Sequence, residues 1–370
     1  MVLGLYWCAS AYSTRMPVAP LDENGTVLYY EDSGAPDAST DYLTIVLVHG
    51  MIFHGAIFRP LLPLAQKNRL RFIFVNMRDY PGSSGFSEEE LEALGSADPD
   101  IQAGATRNLG QDIAICLEFL VRTLEIPAIT ETQGRRNGGI ALVGWSMGNM
   151  STLAMLGKAQ DLPEETIQFL QAYLRTVVLY DPTVTLLGID APKDVYYPLR
   201  DANLSLEERK TLFSTWVSFY FTPVEDLDAV TEEQLARRQA LHEGRGDVET
   251  SVTPTVMRMS KEQHESVADL GVLQRSYNSI RLLTKKTYGD NFRRSLFDAG
   301  GVWPDVDVLF IWCDSSMSDC IWAAKDVADQ VRASAGNPAA RRVQMVKLAG
   351  NHFVHWDAPE SFVRVLAENL

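Results

Sequence analysis

One segment of this chain holds a serine between glycines at a spacing that supports nucleophilic chemistry: Gly144-Trp145-Ser146-Met147-Gly148. A sharp strand-to-helix turn lifts such a serine hydroxyl clear of a sheet, and the flanking glycines let neighbouring backbone pass close by. The next backbone N–H, that of Met147, then stands at a helix N-terminus and points at the same space, where it can hold a developing oxyanion. The five-residue pattern is common by chance, so its context decides. Here an apolar strand pattern at 140–143 precedes it and a helical pattern from Met147 to about Lys158 follows. The bland alternative is an idle serine in a structural glycine turn.

A serine nucleophile needs a base to take its proton. The chain has six histidines. His352, in Gly350-Asn351-His352-Phe353, follows the last strand pattern and so shares the sheet edge of Ser146. His355, three residues on, points elsewhere and reads as structural, as do His242 and His264 in a helical stretch. His49 precedes Gly50 at a strand end, where it would order the next loop. The N–H of Met51, just after that turn, is the candidate second oxyanion donor. A metal reading of His352 and His355 lacks a carboxylate or further histidine at ligand spacing, so neither metal nor cofactor is expected.

These groups must be positioned by a sheet. Short β-branched runs at 44–48, 71–76, 140–143, 176–180, 308–312 and 343–347 read as buried parallel strands. Asn24-Gly25 signals a hairpin turn before a strand at 26–30. Helical patterns lie at 56–65, 105–124, 147–158, 322–333 and 359–370, and 130–137 reads as a polar loop. Alternating strands and helices predict a mainly parallel sheet with helices on both faces. Between 188 and 299 no buried strand appears. Helical patterns at 205–220, 232–242, 261–270 and 272–285 read there as a helical insertion. The organisation is therefore a core from 1–187 and 300–370, interrupted by 188–299.

The chain has 370 residues and a formal net charge of -15. Its 22% charged and 46% hydrophobic residues suit a folded globular protein with a sizeable core. The acidic balance disfavours nucleic acid and anionic lipid as partners and leaves a small molecule as the expected one. Glu88–Glu92 reads as a solvated loop or helix start. The four cysteines, Cys8, Cys116, Cys313 and Cys320, form no CxxC pair. They read as reduced, mostly buried thiols in a reducing, cytoplasmic compartment. The mildly apolar stretch 1–12 lacks a positive flank and reads as a terminal strand or arm rather than a signal peptide.

Together these pieces resemble the α/β-hydrolase superfamily. The resemblance is carried by Asn24-Gly25-Thr26-Val27-Leu28-Tyr29-Tyr30, Val48-His49-Gly50, Arg78-Asp79-Tyr80-Pro81-Gly82-Ser83-Ser84, the Ser146 segment, and His352-Phe353-Val354-His355-Trp356-Asp357-Ala358-Pro359-Glu360. It implies an α/β-hydrolase fold whose insertion, after the strand ending near Tyr180, is a helical cap. Tyr180-Asp181-Pro182-Thr183 with Leu187-Gly188, and residues 351–360, resemble, more narrowly, fungal hydrolases of toxin and polyketide biosynthetic clusters. The family usually carries its triad acid after the penultimate strand. There the chain departs: Trp312-Cys313-Asp314-Ser315-Ser316 puts a serine at the acid position, with Asp314 and Asp319 out of register. Some members carry the acid one strand earlier, and Asp181 is the candidate on that ground. The alternative is that Asp181 caps a turn before Pro182.

The resemblance thus implies a Ser146-His352-Asp181 triad. Ser146 would attack an acyl carbonyl, the Met51 and Met147 amides would hold the oxyanion, and water activated by His352 would release the acid. A serine at the elbow argues against dehalogenase or epoxide-hydrolase chemistry. The aromatics Tyr196, Tyr197, Trp216, Phe219, Tyr220 and Phe221 either pack the insertion or line an apolar pocket, so a bulky, apolar ester, thioester or lactone is the expected substrate. Two rivals remain: condensation or cyclisation by the same Ser/His pair, and a binding protein without turnover.

Overall fold

The computed structural model describes residues 17–37, 40–241 and 253–370. The expected terminal arm at 1–12, Cys8 and His242 lie outside them. Eight strands form one sheet: β1 (Val18–Pro20), β2 (Val27–Asp32), β3 (Leu43–Val48), β4 (Leu70–Val75), β5 (Ile140–Trp145), β6 (Leu174–Tyr180), β7 (Asp307–Cys313) and β8 (Val343–Leu348). Their spatial order is β1-β2-β4-β3-β5-β6-β7-β8. β1 and β2 pair antiparallel around the Asn24-Gly25 turn, β2 pairs antiparallel with β4, and the rest are parallel. β3, β4 and β5 are buried along their whole lengths, which explains why they read as continuous apolar runs.

Register fixes the working edge. Val48 pairs with Gly144, Trp145 with Tyr180, and Tyr180 with Ile311. The residues that follow these strands, His49, Ser146 and Asp181, therefore emerge side by side at the carboxyl edge. In such sheets that edge is where ligands bind.

Helices beside the sheet include α1 (Pro99–Leu124), α2 (Asn149–Gly157), α3 (Lys285–Leu296), α4 (Ser318–Ala333) and α5 (Pro359–Asn369). α2 packs against both α1 and α3. α1 starts earlier than its apolar spacing implies because Asp98 caps it and Pro99 opens it. The stretch expected as a helix at 56–65 is instead a 3-10 helix, Gly55–Leu64, since Pro60 and Pro63 remove the N–H groups an α-helix needs. The expected loop at 130–137 is a small hairpin, Thr130–Thr132 with Arg135–Asn137, turned by Gln133 and Gly134 at positive φ.

Between β6 and β7 the helices are shorter than their sequence patterns. They cover Leu206–Trp216, Glu232–Ala236, Lys261–Val267 and Tyr277–Ile280, and capping boxes start the first three. The pattern at 272–285 is broken at Arg275. α3, which sequence patterning leaves unassigned, lies against α2 and belongs to the helical layer beside the sheet. Cys116, Cys313 and Cys320 are free and buried. Among the described residues no helix is long and apolar enough to cross a membrane.

Candidate active site

Ser146 follows β5 with φ 50°, in the left-handed region that costs a non-glycine residue about 1–2 kcal/mol. Close packing holds it there. A Cβ on Gly148 would lie 2.3 Å from the Val48 carbonyl oxygen, so only glycine lets the turn nest against β3. Asn149 then spans two strand ends, donating from Nδ2 to the carbonyls of Ser146 at 2.9 Å and of Tyr180 at 3.3 Å.

One strand over, Asp181 repeats the strained geometry with φ 49°. Its carboxylate is fully buried and multiply bonded. Oδ2 meets His352 Nδ1 at 2.6 Å and accepts from the Ser316 hydroxyl, and Oδ1 accepts from the Cys313 N–H at 3.1 Å. A carboxylate so placed leaves the Nδ1–H tautomer of His352 and frees the Nε2 lone pair. His352 is itself 1% exposed, and Nε2 has no hydrogen-bond partner among the described residues. Trp145 Nε1 donates to the His352 carbonyl at 3.0 Å, tying the elbow to the histidine loop. The ligand atoms of Asp181, His352 and Cys320 lie within 4.8 Å of one another. The 2.6 Å Asp181–His352 contact is a hydrogen bond, however, and burial holds the Cys320 thiol well above its ordinary pKa.

The loop after β3 is ordered as a second wall. His49 Nδ1 bonds the Gly50 carbonyl at 2.8 Å, and its Nε2 accepts the Met77 N–H at 3.0 Å. Burial lowers the His49 pKa to about 3, so the ring is neutral. The Tyr80 hydroxyl accepts the Ile52 N–H at 3.1 Å, and Ile52 sits at φ 74°. This brings Gly50 against the elbow, where a Cβ on it would lie 3.0 Å from Ser146 Cβ. Among the described residues the Met51 N–H finds no acceptor. Met147, second residue of a helical start, has an N–H without an intrahelical partner. Met51, Ser146, Met147 and His352 line one cavity together with Tyr197, Phe213 and Val217.

The family model described as "Alpha/beta hydrolase family" matches residues 45–365. The chain is an α/β-hydrolase. No curated protein matches it. Among solved structures, an esterase from Exiguobacterium antarcticum is similar at 16% identity and a TM-score of 0.51, over 96% of this chain and 98% of that one. A thermophilic esterase from Thermogutta terrifontis stands at 14% and 0.49, over 96% and 97%. The haloalkane dehalogenase DatA from Agrobacterium tumefaciens stands at 13% and 0.48, over 96% and 95%. At such identities the likeness speaks of the fold alone, and function has to be argued from the site.

In this α/β-hydrolase the other sequence candidates are occupied elsewhere. Asp314 Oδ1 accepts from the Ser315 hydroxyl and the Gly350 N–H, both at 2.9 Å. Asp319 is held by Arg200 at 2.6 and 2.8 Å. His355 is buried against Trp145 and Phe58, bonds the Tyr180 hydroxyl at 3.2 Å, and is held neutral by burial. His264 stacks edge-on to Phe53. Tyr197 and Phe213 line the cavity, whereas Tyr196 is half exposed.

Sequence reasoning passed over three residues. Ser316, noted only as standing where an acid is usual, donates to Asp181. Arg238 donates to the Asp314 carbonyl at 2.7 Å and to the Ser316 carbonyl, fixing the loop that carries Ser316; burial lowers its pKa to about 10. Asn351 holds the histidine loop, accepting the Phe353 N–H at 2.9 Å and donating to the Ser218 carbonyl at 2.8 Å and the Thr255 hydroxyl at 2.9 Å. The serine at 316, in place of the usual acid, was the one available signal.

Proposed function

We propose that this α/β-hydrolase is a serine hydrolase with Ser146 as nucleophile, His352 as base and Asp181 as the acid that orients it. The observation that carries the reading is the buried Asp181–His352 hydrogen bond, with His352 and Ser146 lining one cavity. In the first half-reaction His352 Nε2 takes the Ser146 proton while Oγ bonds the carbonyl carbon. The Met51 and Met147 N–H groups hold the oxyanion. The carbon–oxygen or carbon–sulfur bond then breaks, and the imidazolium gives its proton to the leaving group. In the second half-reaction water gives a proton to His352, attacks the acyl-enzyme, and releases the acid and free serine.

The inserted segment from 188 up to α3 acts in this reading as a cap. Tyr197, Phe213 and Val217 of that segment line the cavity with the nucleophile, where their side chains would exclude water. Their apolar character supports a bulky, apolar ester, thioester or lactone as substrate. The resemblance of Tyr180-Asp181-Pro182-Thr183 and 351–360 to fungal hydrolases of biosynthetic clusters supports a place in secondary metabolism.

The test is labelling with a fluorophosphonate probe, location of the adduct by mass spectrometry, and a p-nitrophenyl ester panel. The reading expects an adduct on Ser146 together with ester turnover. An adduct without turnover would favour condensation or cyclisation, and no adduct on folded protein would favour a binding role.

A further inference from the structure

Two cavities adjoin the Ser146 turn, and of the two Ser146 itself lines one. Beyond the one it shares with His352 lies a second, partly open cavity, walled by Leu28 of β2, Leu109 and Ile113 of α1, Met150 of α2, and Val272 and Ile280 of the inserted segment. Met51 and Met147 line both cavities. The residues whose N–H groups are the oxyanion donors of the proposed mechanism thus also put their side chains between the two spaces. Methionine is unbranched and adapts its shape readily, so this partition can yield to a chain passing through it.

Proton bookkeeping assigns the two spaces. His352 must protonate the leaving group, so the leaving group lies in the cavity that His352 lines. The acyl substituent leaves the same carbon in another direction, and the chamber that shares Met51 and Met147 with the first cavity is the neighbouring space able to take it. Much of the chamber's polar wall is already spoken for. Arg78 donates to Glu90 at 2.9 Å and to the Gly85 carbonyl at 2.6 Å, and the Ser276 hydroxyl donates to Asp79 at 2.7 Å. Asp112 accepts from Arg78 at 3.4 Å, and burial raises its pKa to about 6. An apolar occupant therefore suits the rest of the wall.

We infer that this chamber is the acyl pocket and that it selects esters with an extended apolar acyl chain. The inference rests on the serine-hydrolase reading. It is tested with p-nitrophenyl acetate and octanoate on the full chain and on Ile113→Phe and Val272→Phe, which fill the chamber from opposite walls, so that misfolding of one leaves the other informative. Each desolvated methylene favours the longer ester roughly fourfold. The octanoate-to-acetate ratio of kcat/KM should be high in the wild type and fall at least tenfold, by about one power of ten per few methylenes displaced, in either variant. A ratio unchanged in both overturns the assignment. A crystal of Ser146→Ala with p-nitrophenyl octanoate tests the pocket without turnover: the chain against Ile113 and Val272 supports it, and the chain against Tyr197 and Phe213 overturns it. Turnover with an unchanged ratio would sink the pocket and leave the hydrolase. A chain in the chamber of a protein that cleaves no ester would do the reverse.

Discussion

The turns at Ser146 and Asp181 are near copies in backbone and opposites in how they are held. Both follow neighbouring parallel strands, Trp145 pairs with Tyr180, and φ is 50° and 49°. The Ser146 turn is held mainly by steric exclusion, Gly148 lying where β3 leaves room for nothing larger, with one side-chain hydrogen bond from Asn149 to the Ser146 carbonyl. The Asp181 turn is held by hydrogen bonds, its N–H to the Ile311 carbonyl at 2.8 Å and its carboxylate to Cys313, Ser316 and His352. One strained conformation can thus be secured by shape or by polarity. Only the first writes itself into neighbouring residues.

The comparison can be broken or sharpened in a graded series. Ser146→Ala should remove ester turnover by about 10⁴-fold or more while the turn persists, because the glycines and not the serine hold it. Retained turnover in that variant would end the serine-hydrolase reading. Asp181→Asn should cost about 10³- to 10⁴-fold in kcat through the wrong histidine tautomer, with Asp314→Asn and Asp319→Asn far milder. A near wild-type Asp181→Asn beside a crippled Asp314→Asn or Asp319→Asn would move the acid elsewhere. Gly148→Ala should act on stability instead, by roughly 3 kcal/mol or more in urea unfolding, because backbone must give way. An equal effect of Gly148→Ala and Asp181→Asn on the unfolding midpoint would erase the distinction between shape and polarity.

Acid should loosen what lies behind both turns. His49 and His355 are buried neutral, with pKa values lowered to about 3 and well below the usual range. The unfolded chain binds protons at these rings that the folded chain refuses. Their contribution is complete above the unfolded value near 6.5 and is lost as pH falls below it, at about 1.4 kcal/mol per pH unit for each ring. Asp112 opposes this. Its carboxyl, raised to about 6, costs stability when ionised, and protonation relieves that cost as pH falls. Urea unfolding between about pH 6 and 5 should therefore steepen in Asp112→Asn and flatten in His355→Phe. A slope that neither variant moves would show that these groups titrate alike in both states. The smallest effect expected is for Ser316→Ala. Loss of one hydrogen bond to the charged Asp181 should lower kcat about tenfold and leave the labelling position unchanged. A KM change without a kcat change would remove Ser316 from the role of orienting Asp181.

Legibility in the sequence follows the same division. The strands were readable because a doubly covered sheet needs uninterrupted β-branched runs, and the Ser146 elbow because its constraints sit within five residues. The position of His352 followed from the last strand. Asp181 carries no local signature and was reached only through resemblance. Ser316 meets it across 135 residues of chain, and Asn351 meets Ser218 across 133, distances at which spacing says nothing. The 3-10 helix at Gly55–Leu64 has the apolar periodicity of an α-helix, and only Pro60 and Pro63 distinguish it. The insertion was misread in detail because capping boxes start helices without setting their length.

The fastening around His352 bears on how such a protein could be remodelled. Asp357 accepts from the Tyr220 hydroxyl at 2.7 Å and pairs with Arg258, while Asn351 reaches Ser218 and Thr255. The loop bearing the imidazole is thus stitched to the inserted segment on both sides. The segment is not a module that can be exchanged to retarget the enzyme: a chimera with a foreign insert loses Ser218, Tyr220, Thr255 and Arg258 at once and strips the Asn351 amide N–H groups and the Asp357 carboxylate of these partners. Recombination between relatives would have to move residues 218–258 and 351–357 as a single heritable block.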